Sequence, residues 1–71
     1  MTLKEAIVEA GNLRNRIINR RGLINNICHT AIDIHAVPIG EDDYDVIVVL
    51  SSTPLGQTTI SVEEFLSLES C

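Results

Sequence analysis

One short segment contains the side-chain types that catalysis and metal binding use. Cys28, His29, Asp33 and His35 fall within eight consecutive positions. A cysteine, a histidine and a carboxylate can serve as nucleophile, base and orienting group. However, the segment has no Cys-x-x-Cys or His-x-x-x-His spacing, and structural zinc takes four ligands. We therefore expect no catalytic residue, no metal site and no cofactor here. The simpler interpretation is a solvated Asp33–His35 pair on the exposed face of a strand.

A second group consists of carboxylates around a predicted turn. A calcium loop of the EF-hand type needs alternating acidic residues, a central glycine and a glutamate at its twelfth position, and this run is too short. Two interpretations stay open: the acidic group binds a basic groove of a partner, or it only keeps a hairpin tip soluble. The candidate partner-binding residues are Asp33, Glu41, Asp42, Asp43 and Asp45.

Arginines and a hydroxyl-rich loop form a third candidate site. The planar guanidinium fork donates two hydrogen bonds to one phosphate or carboxylate. The loop over residues 51–59 lacks the glycine patterns of phosphate-binding loops. In an oligomer, arginines of one subunit and this loop of another would form a pocket for a nucleotide or another anion. The candidate ligand-binding residues are Arg14, Arg20, Arg21, Ser51, Ser52 and Thr53.

The charge is distributed unevenly along the chain. Residues 1–30 hold five basic and two acidic residues, a net charge of +3, whereas residues 31–71 hold eight acidic and no basic residues, a net charge of −8. The arginines are spread around the predicted first helix, and the sequence pI is near 4.7. Proteins that bind nucleic acid are normally basic or present a basic face, so direct nucleic-acid binding is disfavoured.

The first element that positions these residues is a helix. Thr2 and Glu5 form a capping box, and apolar residues from Leu3 to Ile18 recur at helical spacing. Gly22 offers a stop signal, but Ile24 and Cys28 continue the apolar stripe in phase. We expect one long helix to about Cys28, bent near Gly22, which would overhang the small core and invite a partner.

Strands follow the helix. Alternation over residues 30–37, a break at Pro38, a turn at residues 40–43 and an apolar run from Tyr44 to Leu50 predict an antiparallel hairpin. The returning strand is apolar on both faces, so we expect an additional element or partner to cover Ile47 and Val49. Arg14 and Arg21 are expected to pair with acidic residues of the sheet, in the same subunit or in a neighbouring one.

The C-terminal part predicts a possible third strand over residues 58–61 and a short helix to about Glu69. Ser61 and Glu64 have capping-box spacing, with Ile60 and Phe65 at the hydrophobic-staple positions. The predicted fold class is α+β in a single domain spanning residues 1–71. It comprises a long N-terminal helix, an antiparallel β-hairpin with a possible third strand, and a short C-terminal helix, with the helices on one face of the sheet.

The chain is short and has two cysteines. A chain of 71 residues is marginally stable alone, which together with the overhanging helix predicts a homodimer or a larger oligomer. The two cysteines do not form a disulfide framework. We predict a buried Cys28 and an exposed free thiol at Cys71. No signal peptide or membrane-spanning run is visible, so we expect a cytoplasmic protein without membrane contact.

These observations predict a non-enzymatic interaction protein that binds a macromolecule through its acidic surface. Short acidic chains without catalytic motifs are common among accessory proteins of phages and mobile elements, including inhibitors of host defence systems. The expected partner is then a host protein with a basic groove, such as a nucleic-acid channel. The alternative is a homo-oligomer that binds or sequesters a nucleotide or other anion. A third hypothesis is a small enzyme that depends on Cys28, His29 or His35.

Overall fold

The computed structural model describes all 71 residues, in the order helix, four strands, helix. This is the expected α+β fold, with one strand more than the sequence patterns predicted. The elements are α1 (Leu3–Ile17), β1 (Arg21–Ile24), β2 (Ile27–Gly40), β3 (Asp43–Ser52), β4 (Gly56–Ser61) and α2 (Val62–Leu66).

The four strands form an antiparallel meander in the order β1-β2-β3-β4. The structure confirms the predicted hairpin, which is formed by β2 and β3. It also confirms the possible third strand, which is β4. Successive side chains of a strand point to opposite faces. We call the face that carries the buried side chains the inner face and the opposite one the outer face. The inner face carries Ala31, Ile34, Val46, Val48, Leu50 and Ile60, and the outer face carries His35, Val37, Ile47, Val49 and Thr59.

Helix α1 begins as predicted and ends earlier. The Thr2 hydroxyl accepts a hydrogen bond from the Glu5 amide at 3.2 Å, and the Glu5 carboxylate accepts one from the Thr2 amide at 2.9 Å. The helix ends at Ile17, and Asn19 follows in the left-handed region at φ 71°. The prediction of one helix to about Cys28, bent near Gly22, was therefore wrong, and α1 does not overhang the core.

The error in the helix boundary comes from a hairpin that the sequence analysis missed. Arg21–Ile24 forms β1, which pairs with Ile27–Thr30 of β2. The two residues between the strands, Asn25 and Asn26, have φ values of 52° and 65°. A two-residue hairpin loop with both residues at positive φ matches the right-handed twist of the strands, and asparagine tolerates it well. The Asn-Asn pair was the available signal, and the helical phase of Ile24 and Cys28 is coincidental.

Both helices pack on the inner face, as predicted. Ala6, Ala10 and Ile17 of α1 and Phe65 of α2 are buried in one cluster with the inner-face side chains of the sheet. Two alanines at the contact keep the axis of α1 close to the sheet. Gly22 serves a similar purpose on β1, because an added Cβ would lie 2.8 Å from Leu68 Cδ1.

No element covers the outer face. Ile47 lies between His35 and Ser61, and Val49 lies between Asp33 and Thr59, so both are half-buried by their neighbours alone. Of the two expected covers for these residues, an additional element of the chain is therefore wrong, and a partner stays a prediction.

Helix α2 is shorter than predicted. The Ser61 hydroxyl accepts a hydrogen bond from the Glu64 amide at 3.1 Å, but the Glu64 carboxylate accepts from the Ser61 hydroxyl and not from its backbone. The capping box is thus only half formed. The helix ends at Leu66, and Leu68 packs against the core beyond it. The chain then follows β1, where the Leu23 amide donates to the Glu69 carbonyl at 2.8 Å.

The two cysteines are joined in a disulfide between Cys28 and Cys71. The predicted free thiol at Cys71 was wrong because Cys71 is in the disulfide, although its predicted exposure is confirmed. The predicted burial of Cys28 was wrong because Cys28 is exposed. The pairing depends on the C-terminal segment running beside β1, a long-range contact that cysteine spacing does not encode. It attaches the end of the chain to β2.

We expect Cys71→Ser to lower the free energy of unfolding, because the disulfide closes a loop with a sequence separation of 43 residues. The chain-entropy treatment gives about 4 kcal/mol for such a loop, and native disulfides typically contribute about 2–5 kcal/mol. Urea unfolding followed by circular dichroism measures the change. Ser70→Ala is the control and should unfold like the wild type. Equal unfolding midpoints for wild type with and without reductant would contradict the prediction.

Candidate functional site

The first group of polar residues lies at the open edge of β2. Because β1 pairs only with residues 27–30, the later part of β2 has no strand partner on that side. Arg14 of α1 reaches this edge and donates to the Asp33 carboxylate at 3.0 Å and to the Ile34 carbonyl at 3.2 Å. His35 Nε2 lies 3.2 Å from the other Asp33 oxygen. The predicted Asp33–His35 pair and the predicted pairing of Arg14 are thus both present.

The electrostatics of this edge stabilise an ionised Asp33. The Ile34 amide donates to the Asp33 carboxylate at 2.8 Å. This bond, followed by those from the Arg14 guanidinium and the charge of His35, holds the pKa of Asp33 below its ordinary value. The arrangement ties α1 to the exposed edge of the sheet, and all three side chains are partly open to water. Its direct consequence is structural.

The predicted Cys/His/Asp cluster is not assembled into one site. Cys28 is held in the disulfide, so it offers no thiol. His29 is buried on the inner face, whereas Asp33 and His35 lie at the outer face and edge. No group of three or more His, Cys, Asp or Glu side chains is arranged to hold a metal ion.

The acidic candidates lie mainly at one end of the molecule. Glu41 and Asp42 form the two-residue turn between β2 and β3 and make no ion pair. Asp43 bonds to the amino group of Met1 at 2.6 Å, which lowers the pKa of its carboxyl. Asp45 accepts from the Val46 amide at 2.8 Å. Asp33 is some distance back along β2, where it is engaged by Arg14.

The candidate ligand-binding residues are distributed over several surfaces. Arg21 pairs with Thr30, and Thr30 pairs with Ser51, so Arg21 and Ser51 share one row of the sheet with Thr30 between them. Arg21 makes no ion pair within the subunit, so its expected pairing with a neighbouring subunit stays a prediction, and Arg20 is exposed in the connection before β1. Ser52 is buried on the inner face, and Thr53 is exposed in the turn that follows.

Sequence reasoning missed a cavity of about 400 Å³ at the end of the sheet where the β1–β2 and β3–β4 turns meet. His29, only 2% exposed, lines it, and His29 Nδ1 donates to the Ile27 carbonyl at 2.9 Å. Ser52, on the same face, has a buried hydroxyl with no partner. A buried polar group without a hydrogen bond costs about 1–3 kcal/mol. The sequence around His29 gave no signal for the cavity, because the cavity is lined by residues of strands from both edges of the sheet.

Comparison of the chain with protein-family models, with curated proteins and with solved structures returns no match. Neither helix has the combination of length and apolar character that crossing a bilayer requires.

We expect Asp33→Asn to reduce stability at neutral pH and to have little effect in acid. A carboxyl whose folded-state pKa lies below its unfolded value of about 3.9 stabilises the protein above that value, and this contribution is lost as pH falls through the folded-state pKa. Urea midpoints of wild type and variant should differ at pH 7 and converge progressively as pH falls from about 4 through the folded-state pKa. The control Glu41→Gln should show no such difference. A gap that persists unchanged into acid would contradict this assignment.

Proposed function

We propose that the protein is a non-enzymatic interaction protein that binds a basic macromolecular partner through one end of the molecule. This end comprises Met1, the first two turns of α1, Ile39 and the β2–β3 turn, and we call it the hairpin-end surface. The observation that supports the proposal is the coincidence there of exposed apolar side chains with carboxylates that have no cationic partner.

Apolar side chains at this end are exposed. Five of the eight exposed large hydrophobic residues belong to it: Met1, Leu3, Ile7, Val8 and Ile39, with exposures between 41% and 60%. Met1 is held beside the turn by its bonds to Asp43 and Tyr44, and Met1 and Val8 line one groove on α1, whereas Ile7 lies beside Ile34 and Ala36 of β2. Exposed apolar side chains next to polar ones are typical of protein–protein interaction sites.

Few cationic groups neutralise the carboxylates of this surface. Glu41 and Asp42 project from the turn, and Glu9 lies with Lys4 and Val8 along a groove on α1. Arg16, Arg20 and Arg21 lie towards the opposite end of α1 and at β1, so the charges are separated along the 36 Å long axis of the molecule. Such a charge distribution orients the protein towards a basic groove and accelerates the encounter.

A host protein that binds nucleic acid would present a suitable groove. In this proposal the chain occupies that groove and acts as an inhibitor, as accessory proteins of phages and mobile elements do. This part rests on the size and acidity of the chain. We also propose a cytoplasmic location. The Cys28–Cys71 disulfide is an observation against it, because disulfides persist mainly in oxidising compartments.

The double charge reversal Glu41→Lys with Asp42→Lys tests the hairpin-end surface. We expect partners cross-linked to the wild type in cells of its source to be lost, and binding of a purified partner to weaken at least tenfold and to depend on salt. The matched control is Glu63→Lys with Glu69→Lys, which changes the net charge equally on exposed positions elsewhere. Equal loss in both variants would indicate a net-charge effect, and unchanged binding in the first variant would contradict the proposal.

We further propose that the protein self-associates through β4. This strand is at the edge of the sheet, is largely exposed and carries no charged residue or proline over Gly56–Ser61. Natural edge strands are normally protected by charges, proline or a covering element. The opposite side of the sheet has such protection from Arg14 and Pro38. Two copies of β4 paired about a two-fold axis would join the sheets.

Native mass spectrometry at micromolar concentration should detect a dimer. Thr59→Lys should shift it to the monomer, because a two-fold pairing of β4 places the two lysines close together. Thr53→Lys adds the same charge in the preceding turn and should leave the dimer intact. A monomeric wild type would refute self-association, and a dimer insensitive to Thr59→Lys would place the interface elsewhere.

The alternative of an anion-binding oligomer has one supporting observation, the shared row of Arg21, Thr30 and Ser51. Arg14 is committed to Asp33 and Ile34, so it contributes little to a second ligand. The enzyme hypothesis has no support from the placement of Cys28, His29 and His35.

A further inference from the structure

We infer that the cavity between the β1–β2 and β3–β4 turns is a binding site for a small uncharged nitrogen heterocycle of the nucleoside type. The site lies at the end of the molecule opposite the hairpin-end surface, so it is independent of the function proposed above. We call it the turn-end cavity.

The floor of the cavity is the part of the inner face that the helices leave uncovered. Gly22 pairs with His29, and Ser51 pairs with Thr30, so His29 and Ser52 are neighbours on the inner side of adjacent strands. Helix α2 packs further along the sheet, where Phe65 joins the core cluster. The β1–β2 turn and the β3–β4 turn form the two sides of the cavity. The lining residues are Ile24, Asn25, His29, Leu55, Gly56, Gln57, Thr58 and Ile60.

His29 presents a polar atom without a protein partner on this floor. Only 2% of the residue is exposed, and its Nδ1 donates to the Ile27 carbonyl. In the neutral ring, Nε2 is then a hydrogen-bond acceptor, and no protein group donates to it. Ser52 lies beside His29 but does not line the cavity; it is 7% exposed, and its buried hydroxyl has no partner. Polar groups in protein interiors are nearly always hydrogen-bonded, so the unpartnered Nε2 of His29 at the cavity indicates a place for a hydrogen-bond donor.

The chemistry of the lining defines the ligand class. Apart from His29 it contains no ionisable side chain, which disfavours an anion or a cation. Ile24, Leu55 and Ile60 supply apolar walls for a flat body, and the Asn25 and Gln57 amides supply donors and acceptors at its rim. A nucleobase has this combination of a flat body and a polar edge. The volume of about 400 Å³ is within the range of small-molecule sites.

Amide NMR spectra during titration with adenosine, guanosine, cytidine and uridine at millimolar concentration test the inference. At least one nucleoside should shift the signals of Asn25, His29 and Gln57 while leaving the hairpin-end surface unperturbed. Its monophosphate should bind no more than a few fold differently, because the lining offers no cation. Tenfold tighter binding of the monophosphate would overturn the assignment to an uncharged ligand.

His29→Gln and Gln57→Trp should each weaken the binding at least tenfold, the first by altering the floor and the second by filling the mouth. Gln57 is exposed, so its variant tests the site even if His29→Gln unfolds the protein. His35→Gln on the outer face is the matched control and should bind like the wild type. Failure of all four nucleosides to shift these signals, or equal binding by Gln57→Trp, would overturn the inference.

Discussion

The packing of two helices on a single face of one four-stranded sheet is the constraint on which the rest of the molecule depends. The contact is made by small residues, Ala6 and Ala10, which let α1 lie close to β2 and β3. That proximity brings Arg14 within hydrogen-bonding distance of Ile34 and Asp33 at the strand edge. The same packing leaves the outer face open and the turn end of the inner face uncovered, and the turn-end cavity lies at that uncovered end.

The core that results is small, with nine buried hydrophobic residues. Domains of this size bury a limited fraction of their surface and usually require an additional constraint. The C-terminal segment supplies one. It packs Leu68 against Gly22, adds a backbone bond to Leu23 and ends in the disulfide with Cys28. Since β1 is only four residues long, this segment also holds the strand that defines one wall of the turn-end cavity.

The two ends of the sheet differ in chemical character. The hairpin-end surface is acidic and apolar and projects into solvent, which suits a large basic partner. The turn-end cavity is concave and carries uncharged polar groups, which suits a small molecule. Because an antiparallel meander places alternate turns at opposite ends, the two sites can be occupied together. A ligand bound in the cavity would stabilise the folded state by mass action without blocking the hairpin end.

The local features of this protein were determined by its sequence alone. The start of α1 follows from Thr2 and Glu5, the β2–β3 hairpin follows from alternation and the polar turn, and α2 starts at Ser61 because its hydroxyl caps Glu64. These features depend on residues three or four positions apart or on the two-residue period of a strand. The position of Glu41 and Asp42 in the turn between β2 and β3 could be predicted for the same reason.

The end of α1, the β1 strand, the disulfide and the turn-end cavity were decided by the tertiary structure. The segment from Gly22 to Cys28 has a helical apolar phase, but pairing with β2 satisfies its backbone and seats Gly22 against Leu68. Cys28 and Cys71 meet only because α2 returns the chain to β1. His29 and Ser52 become neighbours across a strand pair whose register local patterns do not specify. The contacts of Gly22 with Leu68, of Cys28 with Cys71 and of His29 with Ser52 join residues far apart in the chain. The β1–β2 hairpin is local, but its strands form in place of a longer helix because the inner face of the sheet is buried.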